Sequence, residues 1–148
     1  MQILAIDPAT VFGYCYGPEI VATGFHNLGP AKESKGRRLL DFYAHLERLL
    51  KESNAEVIAY ERPAGGHFTG VQFHCNLEAI ILVLAELNNI KAVPISSKSV
   101  KKFITGNGNA KKPEMVAEIK KTYPHVKDHN EADAIGIYHF AQETIKNV

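Results

Sequence analysis

Cysteine is scarce in this chain, and long apolar runs are missing from it. The 148 residues include two cysteines, Cys15 and Cys75, too few and too far apart for a disulfide framework or a thiolate metal site. That usage fits a reducing interior, and a cytoplasmic location is the expectation. No positively charged leader precedes an apolar segment at the start. The longest apolar run, Ala79 to Ala85, falls far short of the roughly 20 residues a membrane-spanning helix needs, so no membrane partner is expected. Net charge is scarce too: a formal +1 says little about partners by itself. With 45% hydrophobic residues, residues 1–148 read as one globular domain around a single sizeable core.

What is present is organised around the first eight residues. Ile3-Leu4-Ala5-Ile6 is a short apolar run that meets Asp7 and stops at Pro8, the pattern of a buried strand ended by a proline. A carboxylate at the end of a core strand is costly to desolvate unless a cation or hydrogen-bond donors meet it. An aspartate capping a turn is the plainer alternative for an isolated Asp-Pro. Val11–Tyr16 and Glu19–Leu28 read as two further strands, joined by the Gly17-Pro18 turn into an antiparallel meander. Apolar residues from Leu39 to Leu50 recur at helical spacing within a helix over 34–53. Lys35, Arg37 and Arg38 stand at its start, where the helix dipole disfavours cations; they face either a ligand or open solvent.

Ala55–Glu61 is a second apolar run ending in a carboxylate, halted by Arg62-Pro63. Reached in parallel through the preceding helix, it would bring Glu61 to the sheet edge that holds Asp7. A glycine-rich loop tipped by Phe68 leads into a helix over 71–87. Its segment Ala79–Ala85 is apolar on every side, which requires cover on two sides, most simply from a second copy of the chain. A strand over 90–95, basic helices over 96–104 and 113–122, and a last helix over 130–145 complete the chain. Asp133 lies in that last helix among alanines and isoleucines, a helix-start aspartate favoured by the dipole or a core-facing ligand.

Charge is uneven along the chain. Residues 98–121 carry seven lysines against Glu114 and Glu118, a local +5, which leaves −4 on the rest. A basic segment on a neutral chain is the footprint of a polyanion partner, though a solvated helix face leaves the same trace.

Asp7-Pro8 with Gly13-Tyr14, Tyr60-Glu61-Arg62-Pro63, Val100-Lys101, Thr105–Lys112 and Glu131-Ala132-Asp133-Ala134 together resemble, in order and spacing, the RuvC-type Holliday junction resolvases. The resemblance runs from Ile3 to about Ala141. It implies an α/β, RNase H-like fold with a five-stranded mixed sheet, three antiparallel strands then two parallel, flanked by helices. It also implies that Asp7, Glu61 and Asp133 hold two divalent cations, Mg²⁺ or Mn²⁺. By resemblance, Lys112 and Lys101 stand near the scissile phosphate, and the product is a nick with a 5′-phosphate.

Residue 130 departs from the family pattern: Asn130 stands where an Asp or His is usual. Asn130 is the expected fourth metal ligand on spacing, with His129 and Asp128 as alternatives. Ala64 replaces a large apolar residue, which leaves Phe68 to stack on the junction centre or to fold back onto its own helix. Lys98, Lys101, Lys102, Lys111, Lys112, Phe68 and Arg62 are the residues expected on DNA. The function implied is a homodimeric, metal-dependent endonuclease that resolves four-way junctions by paired nicks. Other readings are a nuclease for flaps or forks, a junction-binding protein without catalysis, and an actin-like ATPase, which needs a second lobe.

Overall fold

β1 (Ile3–Asp7) is buried at every position, as an apolar strand flanked on both sides in a covered sheet must be. The computed structural model describes residues 1–20, 22–66 and 68–145. β1 pairs antiparallel with β2 (Val11–Gly17), and β2 antiparallel with β3 (Ala22–Asn27). On its other edge β1 pairs in parallel with β4 (Val57–Glu61), and β4 in parallel with β5 (Lys91–Ile95). The order β3-β2-β1-β4-β5 is the mixed sheet that the resemblance implies. α1 (Lys35–Ser53) precedes β4 and α2 (Phe68–Leu87) precedes β5; α3 (Ser97–Thr105), α4 (Lys112–Lys120) and α5 (His129–Thr144) follow.

Strand alternation divides the core between two faces. Leu4, Ile6, Ile58 and Tyr60 pack with Phe42 and Leu46 of α1 and with Leu77 and Ile81 of α2. Ile3, Ala5 and Ala59 pack instead with Met115 of α4 and with Ile135 and Tyr138 of α5. The same parity turns Asp7 and Glu61 toward α5.

Several element limits differ from the sequence reading. The third strand begins at Ala22 rather than Glu19, because the turn opened by Gly17-Pro18 also takes in Glu19 and Ile20. α2 begins at Phe68, three residues early: Thr69 and Gly70 belong to its first turn, where a glycine disturbs little. Phe68 is therefore not a loop tip. α4 ends at Lys120 instead of Thr122, and α5 starts at His129 behind an Asp128 cap. Leu40, counted in the apolar stripe of α1, is exposed.

α2 buries Phe73, Leu77, Ile81, Leu84 and Ala85, whereas Cys75, Ala79, Leu82 and Val83 form an exposed stripe. Within one chain, then, the helix is covered on one side only. By length and composition alone it is long and apolar enough to cross a membrane, a property that the run Ala79–Ala85 taken by itself does not reveal. Its inward side belongs to the core: Tyr60 donates to Glu78 Oε2 at 2.7 Å, pinning α2 to β4.

α5 rests on β2 through one small residue. Gly13 pairs with Asp7, and a Cβ added to it would lie 1.9 Å from the Asn130 carbonyl oxygen. Only glycine lets the first turn of α5 come down this far. Gly13→Ala is expected to destabilise the fold by about 3 kcal/mol, the upper range for overpacking. Urea denaturation beside the parent chain checks this, and an unchanged midpoint would refute the contact.

Candidate metal centre

Asp7 and Glu61 end neighbouring parallel strands. Ile6 pairs with Tyr60, so the next residue on each strand stands beside the other, and both point toward α5. Asp133 lies in the second turn of α5. That helix starts where Asp128 Oδ1 accepts from the N–H groups of Asn130 at 2.8 Å and Glu131 at 3.3 Å, a side-chain cap of its orphan donors. The cap and the Gly13 contact together fix how far Asp133 reaches over the sheet edge.

The electrostatics place these groups in one cluster. Burial pushes the Asp7 carboxyl well above the usual carboxylate range; the charges of Glu61, Asp133 and Asp128 push the same way, and Lys112 opposes them. Burial also lifts Asp133, to about 7, with Glu61 and Asp128 adding to the rise while Lys101 and Lys112 counter it. Four carboxylates against two ammonium groups leave an excess of negative charge in a desolvated place. Hard oxygen donors in excess fit a divalent cation of the magnesium or manganese type. Among the described residues, no three of these carboxylates bring one oxygen each within 4.8 Å of one another.

The lysines arrive on a tightly folded loop. Gly106 ends α3 at φ 83°, its N–H donating to Lys102 O. Thr105 Oγ1 donates to Lys101 O at 2.7 Å and accepts from Asn107 N–H at 3.1 Å. Lys112 then opens α4, its Nζ 3.4 Å from His129 Nε2. Lys101 and Lys112 thus flank the carboxylates. Lys98 lies along Gly108, and Lys102 and Lys111 are exposed. Arg62 is exposed just past β4, where its N–H donates to Ile95 O at 2.9 Å. Phe68 is 79% exposed, so it does not fold back onto its own helix. Asn130, in the first turn of α5, is buried.

Other residues take surroundings that the sequence pattern does not show. Lys120 and Lys127 line a cavity of about 460 Å³ with Lys112 and His129; Lys127 lies outside the lysine-rich window, so its charge was not counted. Arg38 is buried although it sits among exposed cations at a helix start. A separate cluster, His26, Asp41 and His45, brings its ligand atoms within 4.8 Å of one another. There His26 Nε2 lies 2.9 Å from Asp41 Oδ2, and Arg48 donates to His45 Nδ1 at 3.2 Å. With Nδ1 accepting, the neutral ring carries its proton on Nε2, facing Asp41 at 3.5 Å. Hydrogen bonding accounts for this cluster without an ion.

No protein-family profile matches the chain, and no curated protein sequence matches it. Solved structures do. RuvC of Thermus thermophilus in complex with a Holliday junction substrate matches with a TM-score of 0.75 at 19% identity, over 93% of this chain and 90% of that one. A second Thermus thermophilus RuvC structure gives a TM-score of 0.73 at 18% identity, over 97% and 96%. The yeast mitochondrial Holliday junction resolvase Ydc2 gives 0.63 at 20% identity, over 91% and 75%. At such identities the likeness is one of fold: this chain has the RNase H-like fold of RuvC over nearly its whole length.

The crowded carboxylates carry a testable consequence for stability. Asp133, raised from 3.8 to about 7, holds a proton in the folded state over a range where the unfolded chain has already released it. Stability of the metal-free fold therefore falls as pH rises from about 4 through 7. Asp7→Asn removes one member of the repulsion and is expected to stabilise the metal-free protein by on the order of 1–2 kcal/mol, about 3–8 °C. The gain should be larger at pH 8 than at pH 5. Thermal denaturation in chelator at both pH values checks it; a variant less stable than the parent at pH 8 contradicts the clustering.

Proposed function

We propose that this protein is a metal-dependent, structure-selective DNA endonuclease that resolves four-way junctions. The observation that carries the reading is the cluster of Asp7, Glu61 and Asp133 at one sheet edge, flanked by Lys101 and Lys112. The likeness in fold to a RuvC held on a Holliday junction substrate supports branched DNA as the partner. Asp7, Glu61 and Asp133 would hold two divalent cations, Mg²⁺ or Mn²⁺, with a fourth donor from the turn 128–130. Within that turn Asn130 has the spacing, whereas Asp128 has the charge that bears on both Asp7 and Asp133. When bound, such a pair of ions supplies Lewis-acid activation of a water and stabilisation of the departing 3′-oxygen, leaving a 5′-phosphate.

The chain's own groups do the rest. Lys101 and Lys112 neutralise non-bridging phosphate oxygens beside the carboxylates and hold the scissile strand against them. Lys98, Lys102 and Lys111, with Lys120 and Lys127 beyond them, extend a cationic surface for the phosphates of a duplex arm and read no base. Phe68 is exposed in the first turn of α2 and Arg62 is exposed just past β4; an aromatic so exposed can stack on an unpaired base at the branch point. The free thiols, one buried and one exposed, suit a reducing compartment.

A synthetic four-way junction incubated with and without Mg²⁺ tests the activity directly. The parent should nick opposed strands only with the metal. Asp7→Asn, Glu61→Gln and Asp133→Asn should each lower nicking by on the order of 10²–10³-fold or more while retaining junction binding. Asp128→Ser keeps the helix cap, so a raised metal requirement in that variant would identify the fourth donor. Cleavage of flaps and forks in preference to junctions would move the assignment to a related nuclease. Metal-independent cleavage would refute it.

Paired nicking needs two centres, and the exposed stripe Cys75, Ala79, Leu82 and Val83 of α2 supplies a self-complementary surface for a two-fold homodimer. Ile81 is fully buried whereas Leu82 is 47% exposed, so Leu82 is the position to charge. Leu82→Glu is expected to yield a folded monomer that has lost paired nicking. Sedimentation decides the matter: a parent chain that is monomeric at tens of micromolar rules this interface out.

A further inference from the structure

The lysines near the carboxylates all lie on the α5 side of the sheet. At the same end of the sheet, on the α1–α2 side, there is a second cationic feature. A cavity of about 500 Å³ begins at Pro8, directly after Asp7, and is lined by Thr10, Lys35 and Arg38 on one side and Thr69, Phe73 and His74 on the other. Among the described residues, no carboxylate lines it. His74 Nε2 donates to the Glu61 carbonyl at 3.0 Å, so the cavity borders both strand ends that present the metal-binding acids.

Arg38 is the unusual member. It is only 6% exposed, with its guanidinium stacked 4.0 Å over the Phe73 ring. One Nη donates to Thr10 Oγ1 at 3.2 Å, but Nε is buried without any partner. No carboxylate pairs with Arg38 among the described residues. A buried guanidinium with a free donor and no counter-charge is costly to keep, unless an anion completes it.

The helices around it point the same way. Residues of the first turns of α1 and of α2 both line this cavity, and neither first turn holds an acidic residue. Helix starts carry unpaired N–H groups and positive partial charge. The usual remedy is an acidic side chain, yet α1 begins with Lys35, Arg37 and Arg38. Cations at a helix start are unfavourable by themselves and become favourable once an anion sits between them and the helix. Thr10 and Thr69 add hydroxyl donors of the kind that contact phosphate oxygens.

We infer that this cavity is a second phosphate-binding site, taking a backbone phosphate of the cleaved strand adjacent to the one at the carboxylates. The inference rests on the junction-nuclease reading above and deepens it. The strand is then gripped on both sides of the scissile bond, by Lys101 and Lys112 on one face of the sheet and by Arg38, Lys35 and Thr10 on the other. A phosphate held at two points along the strand fixes its register over the carboxylates, which is the positional precision that phosphoryl chemistry needs.

The test uses four-way junctions carrying single neutral methylphosphonate linkages, placed in turn at each position flanking the nick, with binding measured in Ca²⁺ for parent, Arg38→Gln and Lys35→Gln. The parent should lose roughly tenfold in affinity at one flanking linkage, the scale of a charge-assisted contact. Arg38→Gln should show a similar loss on unmodified DNA and then become indifferent to that same linkage. Lys35 is exposed at the first position of α1, so Lys35→Gln reports on the pocket even if Arg38→Gln folds poorly, and it should blunt the same linkage effect. A thermal-shift titration with inorganic phosphate at constant ionic strength separates a pocket that also takes the free ion from one that needs the strand. An unchanged methylphosphonate pattern in both variants would overturn the second site and leave the nuclease reading intact. A parent chain that binds no junction at all would overturn both.

Discussion

Desolvation and mutual repulsion of four carboxylates, Asp7 buried and the other three half-buried, are the constraint on which this architecture turns. Asp7, Glu61, Asp133 and Asp128 are gathered where water is scarce, and burial plus their neighbours raises Asp7 and Asp133 toward the protonated form. Left alone, such a cluster opposes folding. The rest of the molecule holds it together by force of packing. β1 is sealed between β2 and β4, and α5 is buried along most of its length. In the proposed function a divalent cation would relieve this, displacing the carboxyl protons to solvent and neutralising the charge left behind.

Two kinds of support converge on that edge. One is the backbone of the parallel pair, whose register aligns two strand ends without help from any side chain. The other is steric: the missing Cβ of Gly13 admits the Asn130 carbonyl, and a Cβ added to Gly136, farther along α5, would lie 3.0 Å from Val100 Cγ1 and 3.1 Å from Met115 Cε. Glycines on both sides of the α5 interface let the helix sink into its neighbours. Positive charge is then laid around the rim, by α3 and α4 on one face and by the first turn of α1 on the other.

Much of this was legible in the chain. Two apolar runs that each end in an acid and a nearby proline announce parallel core strands with their carboxylates at one edge, and the topology agrees. The meander and the helical crossovers follow from turn residues and apolar spacing. Boundaries were less legible, because a turn can absorb residues of strand-like composition, as at Glu19 and Ile20, and a helix can begin among glycines, as at Phe68. Arg38 was not legible either. Its neighbours Lys35 and Arg37 are exposed, and nothing in the local pattern says that the third cation turns inward over Phe73. Burial of a single charged side chain is decided by a partner far away in sequence, and periodicity is blind to that. Lys127 was not legible for the opposite reason: it stands in the loop after α4, whereas its neighbours in space, Lys112 and Lys120, belong to that helix.

The three acids stand at positions 7, 61 and 133, so the order in which the chain is made has a bearing on when the proposed metal centre is complete. A growing polypeptide can complete the meander, α1 and the β1–β4 pair from its first 61 residues, and it then holds two of the three acids. The third arrives only with α5, after every other element has been made, and docks by settling onto Gly13 of a strand formed near the beginning. Contacts of such sequence separation form late, since the loop between them must first be closed. The proposed cutting activity would thereby be withheld from every partly made or partly unfolded form, and fraying of α5 alone would switch it off while most of the sheet still stood.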